Sequence, residues 1–174
     1  SKVKIDFALE KINFKRFVEM SNKTNQFNSN YQRIKINKLK SLYKNQRFKI
    51  ITFSVSDKYS DSGIIASLIV EKLKETHSII EFLISCRALG RGLEYIFINQ
   101  IIKKFSIKNL KIHYIKTERN QPFIKFANEI KSGKDKKSYF VNFNKIIFFI
   151  FTRFDFISKF NKGFISLSLN IIDS

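Results

Sequence analysis

One ten-residue stretch carries most of the chemistry that can be recognised in this chain, and it lies where a predicted strand passes into a predicted helix. It reads Ser85-Cys86-Arg87-Ala88-Leu89-Gly90-Arg91-Gly92-Leu93-Glu94. Gly90 and Gly92 let the backbone pass close to a ligand, and the first turn of the following helix leaves N–H groups unpaired. Those donors and the helix dipole favour a phosphate group. With Arg87 and Arg91 beside them, they predict an anion-binding turn in which the N–H groups from Leu89 to Leu93 hold the phosphate.

Two residues near this turn could take part in catalysis. Cys86 is the only cysteine, and a helix N-terminus with an adjacent arginine favours the thiolate, which attacks acyl groups. Strand alternation would place this side chain with Ile80, Phe82 and Ile84 on an apolar face, so a packing role is the alternative. Glu81 lies inside an apolar strand, where burial would raise the pKa of its carboxyl toward the range that a general base needs.

The composition restricts the class of protein. The chain has 174 residues, of which 44% are hydrophobic, and this predicts a single folded domain over residues 1–174. A formal net charge of +19 predicts acidic partners: nucleic acid, an anionic membrane surface, a phosphorylated cofactor or an acidic carrier protein. The basic residues are spread along the sequence, so the charge alone does not choose among these partners.

The same inventory argues against several kinds of site. One cysteine cannot form an internal disulfide, and with His77 and His113 far apart we expect no metal site. The first residues contain no apolar signal run. The most apolar window, residues 146–151, falls far short of the ~20 residues that a membrane-spanning helix needs. We therefore expect a soluble, cytoplasmic protein.

The hydrophobic pattern predicts alternating helices and strands. Helices are predicted at 12–20, 33–43, 93–105 and 122–130, and strands at 2–8, 48–57, 64–71, 79–85, 110–115, 138–143 and 164–169. The stretch 146–160 is apolar but has no clear period, so it is open between strand and helix. This order predicts an α/β (α+β) fold, in which a mixed, mostly antiparallel central sheet carries helices on both faces.

Residues 87–92 fit the pattern R-x-x-G-x-G, which resembles the pyrophosphate-binding turn of the GNAT superfamily of N-acetyltransferases. Four runs, in order, resemble more narrowly the C-terminal, GNAT-like half of the FkbH-like family. They are Asn22–Asn28 (NKTNQFN), Asp57–Ile64 (DKYSDSGI), Ser85–Glu94 and Thr117–Pro122, the last with Arg119 where the family has Lys. The resemblance covers about residues 10–130, and residues 131–174, expected to contain closing strands, are unmatched.

This resemblance implies a GNAT-like fold and an acyltransferase that handles an acyl or glyceryl thioester of an acyl carrier protein or of coenzyme A. Such proteins occur in polyketide and surface-polysaccharide biosynthesis, where they usually carry a phosphatase domain of the haloacid-dehalogenase (HAD) type. This chain has no D-x-D phosphatase motif, so it would be either the C-terminal domain of a longer protein or a stand-alone domain with a separate phosphatase partner. The cofactor implied is coenzyme A or the phosphopantetheine of the carrier protein.

Roles for individual residues follow from the matched motifs. The turn would hold the pyrophosphate or phosphopantetheine phosphate through Arg87, Leu89, Gly90, Arg91 and Gly92. GNAT enzymes often place a tyrosine acid on the helix after the fourth main strand, where this chain has Phe126. The side chains that could bind substrate are Asn22, Thr24, Asn25, Gln26, Asn28, Asp57, Asp61 and Asn120.

Other interpretations stay open from the sequence alone. The run from Ser21 to Asn30 could be an ordinary surface loop, and Asp57 and Asp61 could simply form an Asx-type turn. A docking domain that keeps the turn but lacks acid–base chemistry is the main alternative function. A nucleic-acid-binding module ranks lower, because it would need a clustered basic face or exposed aromatic side chains.

Overall fold

The structure is a computed structural model that describes residues 3–9, 12–56, 61–160 and 165–168. Within these ranges the helices are α1 (Phe14–Lys23), α2 (Ile36–Lys44), α3 (Leu93–Lys104), α4 (Gln121–Ile130) and α5 (Phe143–Phe160), with a short 3₁₀ turn at Cys86–Ala88. The strands are β1 (Val3–Ala8), β2 (Phe27–Asn28), β3 (Phe48–Ser56), β4 (Asp61–Leu73), β5 (Thr76–Ile84), β6 (Asn109–His113), β7 (Lys131–Lys134), β8 (Ser138–Val141) and β9 (Ile165–Ser168).

These strands form one sheet. Its order is β7-β8-β6-β5-β4-β3-β1-β9, and the short strand β2 pairs with β5 outside this path. The pairs β5–β6 and β1–β9 are parallel, and the other pairs of the described strands are antiparallel. The predicted mixed, mostly antiparallel sheet is therefore confirmed.

Helices cover both faces of this sheet, as predicted. On one face, Phe17 and Met20 of α1 and Leu39 of α2 pack with Leu83 of β5 in one buried cluster. On the other face, α3, α4 and the start of α5 pack on the sheet in a larger cluster. The ring of Phe53 on β3 is fully buried there. It stacks on Phe97 of α3 with the ring centroids 4.3 Å apart.

The parting of β5 from β6 creates the region where the candidate site lies. The two strands pair only from Thr76–Ile79 to Asn109–Ile112. Beyond that point β5 pairs instead with Phe27 and Asn28 of β2, which meet Ile84 and Leu83. The anion-binding turn follows immediately where β5 ends, and α3 begins at Leu93.

Three parts of the structure differ from the pattern-based expectation. The stretch left open at 146–160 belongs to α5, which packs against α3 and α4. The strands β2 and β7 were not predicted, because each is too short to show a pattern of its own. β2 is fixed by pairing with the distant strand β5, and β7 pairs with β8 in a local hairpin. Closing strands are confirmed at β8 and β9, separated by this long helix.

Packing of the larger cluster gives a stability prediction. Phe53→Ala should lower the free energy of unfolding by about 3–5 kcal/mol, because it removes a fully buried ring and leaves a cavity against Phe97. The control is Phe148→Ala, in which the lost ring is 59% exposed and the change should stay within about 0.5 kcal/mol. Urea unfolding followed by circular dichroism measures both. Equal losses in the two variants would contradict this assignment of the core.

Candidate active site

The predicted anion-binding turn has the backbone that its glycines suggest. Gly90 has φ 77° and Gly92 has φ 72°, both in the left-handed region that favours glycine. Gly92 is the N-cap of α3 and supplies no capping side chain. In the described chain the N–H groups from Gly90 to Leu93 donate no hydrogen bond, so these donors are open to an anion.

The two arginines of the turn are also available. The side chains of Arg87 and Arg91 are exposed, and neither makes an ion pair or hydrogen bond with the described residues. A guanidinium group without a protein partner can donate charge-assisted hydrogen bonds to phosphate oxygens. The turn therefore combines open backbone donors with two free positive charges.

A cavity of about 290 Å³, here named the turn cavity, opens beside these residues between α3 and α4. Arg153 of α5 closes one side of it. Its lining consists of Gln26, Phe27, Leu89, Gly90, Glu94, Tyr95, Pro122, Lys125, Phe126, Glu129 and Arg153. A ligand held at the turn could therefore extend along the cavity as far as Gln26 and Phe27.

A polar cluster lies in the wall of the turn cavity. The hydroxyl of Tyr95 donates a hydrogen bond to the Glu129 carboxylate. The Arg153 guanidinium lies 4.9 Å from the centre of the Tyr95 ring and 3.5 Å from Glu129 Oε2. Burial and the adjacent Glu129 carboxylate raise the pKa of Tyr95. Burial also raises the pKa of Glu94, whose Oε2 has no hydrogen-bond partner in the described chain.

Sequence reasoning did not identify Lys125, Glu129 and Arg153 as part of this site. A signal for two of them existed, because Pro122, Lys125 and Glu129 have the spacing of one face of a helix. No signal pointed to Arg153, because its segment was open between strand and helix.

A β-bulge places the predicted base, Glu81, in a second cavity. Glu81 pairs with Ile69, but the next pair joins Val70 to Ile79, so Ile80 is the extra residue of the bulge. Ile80 and Glu81 consequently line the same cavity, which faces α2 and has a volume of about 370 Å³. We name it the Glu81 cavity. Its lining consists of Asn30, Gln32, Arg33, Ile34, Lys35, Lys38, Leu42, Ile69, Ile80 and Glu81.

The carboxylate of Glu81 is almost fully enclosed, with 1% of the residue exposed. Burial raises its pKa to about 7, against weaker opposing effects of the Gln32 backbone N–H and the Arg33 guanidinium. Neither carboxylate oxygen has a partner at normal hydrogen-bond geometry in the described chain. A carboxyl that titrates near neutrality in a cavity can take a proton from a bound molecule.

Cys86 lies elsewhere than the strand pattern predicted. It is exposed in the 3₁₀ turn, because β5 ends at Ile84 and the backbone bends away before Cys86. The expected shared face is also wrong. Phe82 and Ile84 belong to the larger core cluster, whereas the bulge turns Ile80 toward the cluster under α1 and α2. Cys86 lines neither the turn cavity nor the Glu81 cavity, so the structure does not bring the two predicted catalytic residues together.

The amide-rich run after α1 is held by internal hydrogen bonds. The Arg33 guanidinium donates to the carbonyl oxygens of Ser21 and Asn22, and to Asn25 Oδ1 at 2.5 Å. Thr24 is buried, and its carbonyl accepts from Asn28 Nδ2 at 3.0 Å. Among the predicted substrate-binding residues in this run, Gln26 is the one that lines the turn cavity.

Asn28 and Asn120 form a buried connection between β2 and the start of α4. Asn28 Oδ1 accepts from the backbone N–H of Tyr31 at 2.8 Å, which closes a local turn. Asn120 Nδ2 donates to the carbonyls of Asn28 (2.9 Å) and Ile115 (2.8 Å), and its Oδ1 accepts from the Thr117 N–H. Both asparagines are fully buried. A ligand would have to replace these bonds to reach either amide.

The remaining predicted substrate contacts are Asp61, the first residue of β4, and Asp57. Asp61 Oδ1 accepts from the Gly63 N–H at 2.8 Å, which is the Asx-type turn considered above. Asp57 lies outside the described residues.

In the described ranges, no group of three or more His, Cys, Asp or Glu side chains could hold a metal ion. Nor does any helix within them combine the length and apolar character needed to cross a membrane.

No protein-family model matches this chain, and no curated protein sequence is similar to it. Solved structures with the same architecture are numerous. Spermidine N-acetyltransferase from Vibrio cholerae, in complex with CoA and spermine, matches with a TM-score of 0.54 at 13% identity, over 82% of this chain and 98% of that one. A protein assigned to the GNAT family from Desulfovibrio desulfuricans matches with a TM-score of 0.54 at 7% identity, over 80% and 96% of the two chains.

A third match is the ribosomal-protein-S18-alanine N-acetyltransferase of Escherichia coli, with a TM-score of 0.52 at 9% identity, over 79% of this chain and 90% of that one. This chain has the GNAT fold. Identities this low support the fold and leave the substrate to be argued from the site itself.

The raised pKa of Glu81 predicts a specific pH dependence of stability. Between pH 4.5 and about 7 the folded protein keeps a proton that the unfolded chain has released, so stability falls as the pH rises through this window. Glu81→Gln removes this loss. The free energy of unfolding of the variant, minus that of the wild type, should grow by about 3 kcal/mol over the window and then level off.

Urea unfolding from pH 4 to pH 8 (roughly the range over which carboxyl and imidazole groups titrate) measures this difference. Glu118→Gln, which neutralises an exposed carboxylate, is the matched control and should run parallel to the wild type. A constant difference between Glu81→Gln and the wild type would show that Glu81 is ionised at the same pH in both states.

Proposed function

We propose that this protein is an acyltransferase that draws its acyl group from a thioester of coenzyme A or of a phosphopantetheine arm. The observation that carries the proposal is the turn from Arg87 to Leu93. The N–H groups from Gly90 to Leu93 and the side chains of Arg87 and Arg91 have no partner in the described chain, and Leu89 and Gly90 line a cavity beside them. The setting of this turn in a GNAT fold supports the proposal, as does the presence of CoA in the similar Vibrio cholerae enzyme.

Binding of the donor would begin at the phosphates. The N–H groups from Gly90 to Leu93 would donate to the phosphate oxygens, and Arg87 and Arg91 would neutralise their charge. The thioester arm would then extend through the turn cavity toward Gln26 and Phe27. The formal net charge of +19 would favour approach of an anionic cofactor or an acidic carrier protein.

Transfer would use Glu81 as the general base. An amine or hydroxyl acceptor in the Glu81 cavity would give its proton to the carboxylate as its nitrogen or oxygen attacks the thioester carbonyl. The carbon–sulfur bond then breaks, the acyl group stays on the acceptor, and the thiolate leaves and takes up a proton from solvent water, while the carboxyl of Glu81 returns its proton to solvent. In the competing covalent route, the acyl group would first pass to Sγ of Cys86, which is exposed to solvent.

The finer proposal is an FkbH-like role, supported by the four ordered motifs. In this role the acyl group is a glyceryl unit, the acceptor or donor is an acyl carrier protein, and a HAD-type phosphatase, either joined to this domain or separate from it, acts on the phosphorylated precursor. The pathway would be polyketide or surface-polysaccharide biosynthesis. A test is transfer of a glyceryl group to a phosphopantetheinylated carrier protein when such a phosphatase is added.

A second candidate is a docking domain that binds the donor without catalysis. The observation in its favour is Phe126, which stands where the resemblance implies a tyrosine acid. Its ring is buried and packs edge-on against Tyr95, with the centroids 5.1 Å apart. Donor binding without turnover for any acceptor would favour this candidate.

Binding at the turn has a direct test. Arg91→Glu should weaken coenzyme A binding at least about tenfold, because a charge-assisted contact is lost and a repulsive carboxylate is placed beside the phosphates. Isothermal titration calorimetry measures the Kd. The control is Lys40→Glu, which makes the same charge change at an exposed site on α2, where the Kd should stay within about threefold of the wild type. Equal weakening in both variants would indicate nonspecific attraction only.

The role of Glu81 predicts how the rate depends on pH. Release of the coenzyme A thiol from acetyl-CoA, measured with a panel of amines and alcohols, should rise with an apparent pKa near 7. Glu81→Gln should lower this rate by about 10²-fold or more. Cys86→Ala should leave it nearly unchanged. An acetyl adduct on the intact protein that disappears in Cys86→Ala, together with turnover, would instead establish the covalent route.

A further inference from the structure

The outer edge of β5, past the point where β6 departs, is occupied by the chain's own residues. We name Gln26–Asn30 the bridging segment. Ser29 N–H donates to the Phe82 carbonyl at 3.0 Å, and Phe82 N–H donates to Ser29 Oγ at 2.9 Å. Asn30 Nδ2 donates to the Ile80 carbonyl at 3.0 Å. On its other side, the segment accepts a hydrogen bond from Ile115 N–H to the Ser29 carbonyl at 2.8 Å.

The same segment lines both cavities of the site. At one end, Gln26 and Phe27 form the far wall of the turn cavity. At the other end, Asn30 lines the Glu81 cavity. The residues between them bridge β5 and the chain after β6. A thioester arm held at the turn therefore meets the bridging segment before it reaches the carboxylate of Glu81.

Two features indicate which part of this segment would move. Phe27 is anchored by aromatic packing, with ring centroids 5.0 Å from Phe82 and 5.5 Å from Phe123. Directly after the segment, Tyr31 has φ 55° and Arg33 has φ 47°, the left-handed region that non-glycine residues enter only at an energetic cost. Movement of the chain after Phe27 could relieve that cost.

The hydrogen bond from Phe82 N–H to Ser29 Oγ is a contact of the closure that a single substitution can remove. Its acceptor is the hydroxyl of Ser29, whereas in an ordinary strand pair the acceptor would be a backbone carbonyl. Ser29 and Phe82 are both fully buried, so this N–H has no access to water while the segment is in place. Removing the hydroxyl would penalise the closed arrangement and leave an open one unaffected.

We propose that the bridging segment is a gate, which separates the thioester arm from Glu81 and is displaced between Asn28 and Asn30 when the arm of the donor binds. This rests on the proposed function, because it takes coenzyme A as the ligand of the turn. The phosphate part of the ligand binds outside the gate, and only the arm opens it. Part of the binding free energy of the arm is therefore used to open the gate.

Amide hydrogen exchange of the full chain, followed by NMR, tests the gate through the N–H groups of Ser29 and Ile115. Saturating coenzyme A should speed exchange of both amides at least about tenfold, since opening breaks both bonds. Adenosine diphosphate, which has the phosphates but no arm, should leave both amides protected. Coenzyme A that binds while both amides stay protected overturns the gate and leaves the proposed function standing.

Ser29→Ala supplies an independent measurement. It should lower the Kd for coenzyme A about fivefold, the worth of one net hydrogen bond in the closed state, and leave the Kd for adenosine diphosphate unchanged. The control is Ser78→Ala, which changes a buried serine of β5 whose Oγ has no partner in the described chain. Weaker or unchanged coenzyme A binding in Ser29→Ala contradicts the gate.

The two proposals fail in different ways. If the wild type binds neither coenzyme A nor a phosphopantetheinylated carrier protein, the proposed function is wrong and the gate is wrong with it. If Ser29→Ala does not fold, the exchange rates of the wild-type protein with coenzyme A and with adenosine diphosphate still decide the question.

Discussion

A strand edge buried inside a protein must find hydrogen-bond partners, and β5 meets this requirement in an unusual way. Its neighbour β6 leaves after four residue pairs, yet β5 continues through Ile84 between two layers of helices. Residues 27–30 supply the missing partners. Because these residues must pair with the edge of β5, the chain between α1 and α2 runs along that edge. The turn cavity therefore lies at one end of residues 26–30 and the Glu81 cavity at the other.

The division of the site between two faces of the sheet follows from this arrangement. The turn and its free arginines belong to the face covered by α3 and α4, while Glu81 points to the face covered by α1 and α2. Arg33 ties the loop after α1 in place through carbonyl oxygens, so its charge is largely used for structure. The exposed cationic side chains that line the Glu81 cavity are those of Lys35 and Lys38.

What the sequence could predict was governed by local chemistry. Gly90 and Gly92 predicted the turn, because left-handed backbone and open N–H groups are properties of a few adjacent residues. The apolar neighbours of Glu81 predicted its burial for the same reason. The face predicted for Ile80 was wrong, because the bulge that turns this residue depends on how β5 pairs with β4. The strand β2 and the role of Arg153 depend on contacts between residues far apart in the chain, which periodicity does not encode.

The geometry of Gly90 separates two reasons for which a glycine is required. A Cβ built on this residue meets no atom within 4 Å, so the turn has room for a side chain, and only its φ of +77° disfavours one. The requirement is therefore one of handedness rather than of space. A residue of D configuration, for which this φ is relaxed, would fit the turn and still leave its amide directed at a ligand. Among natural residues asparagine is the closest substitute, because it tolerates the left-handed region best.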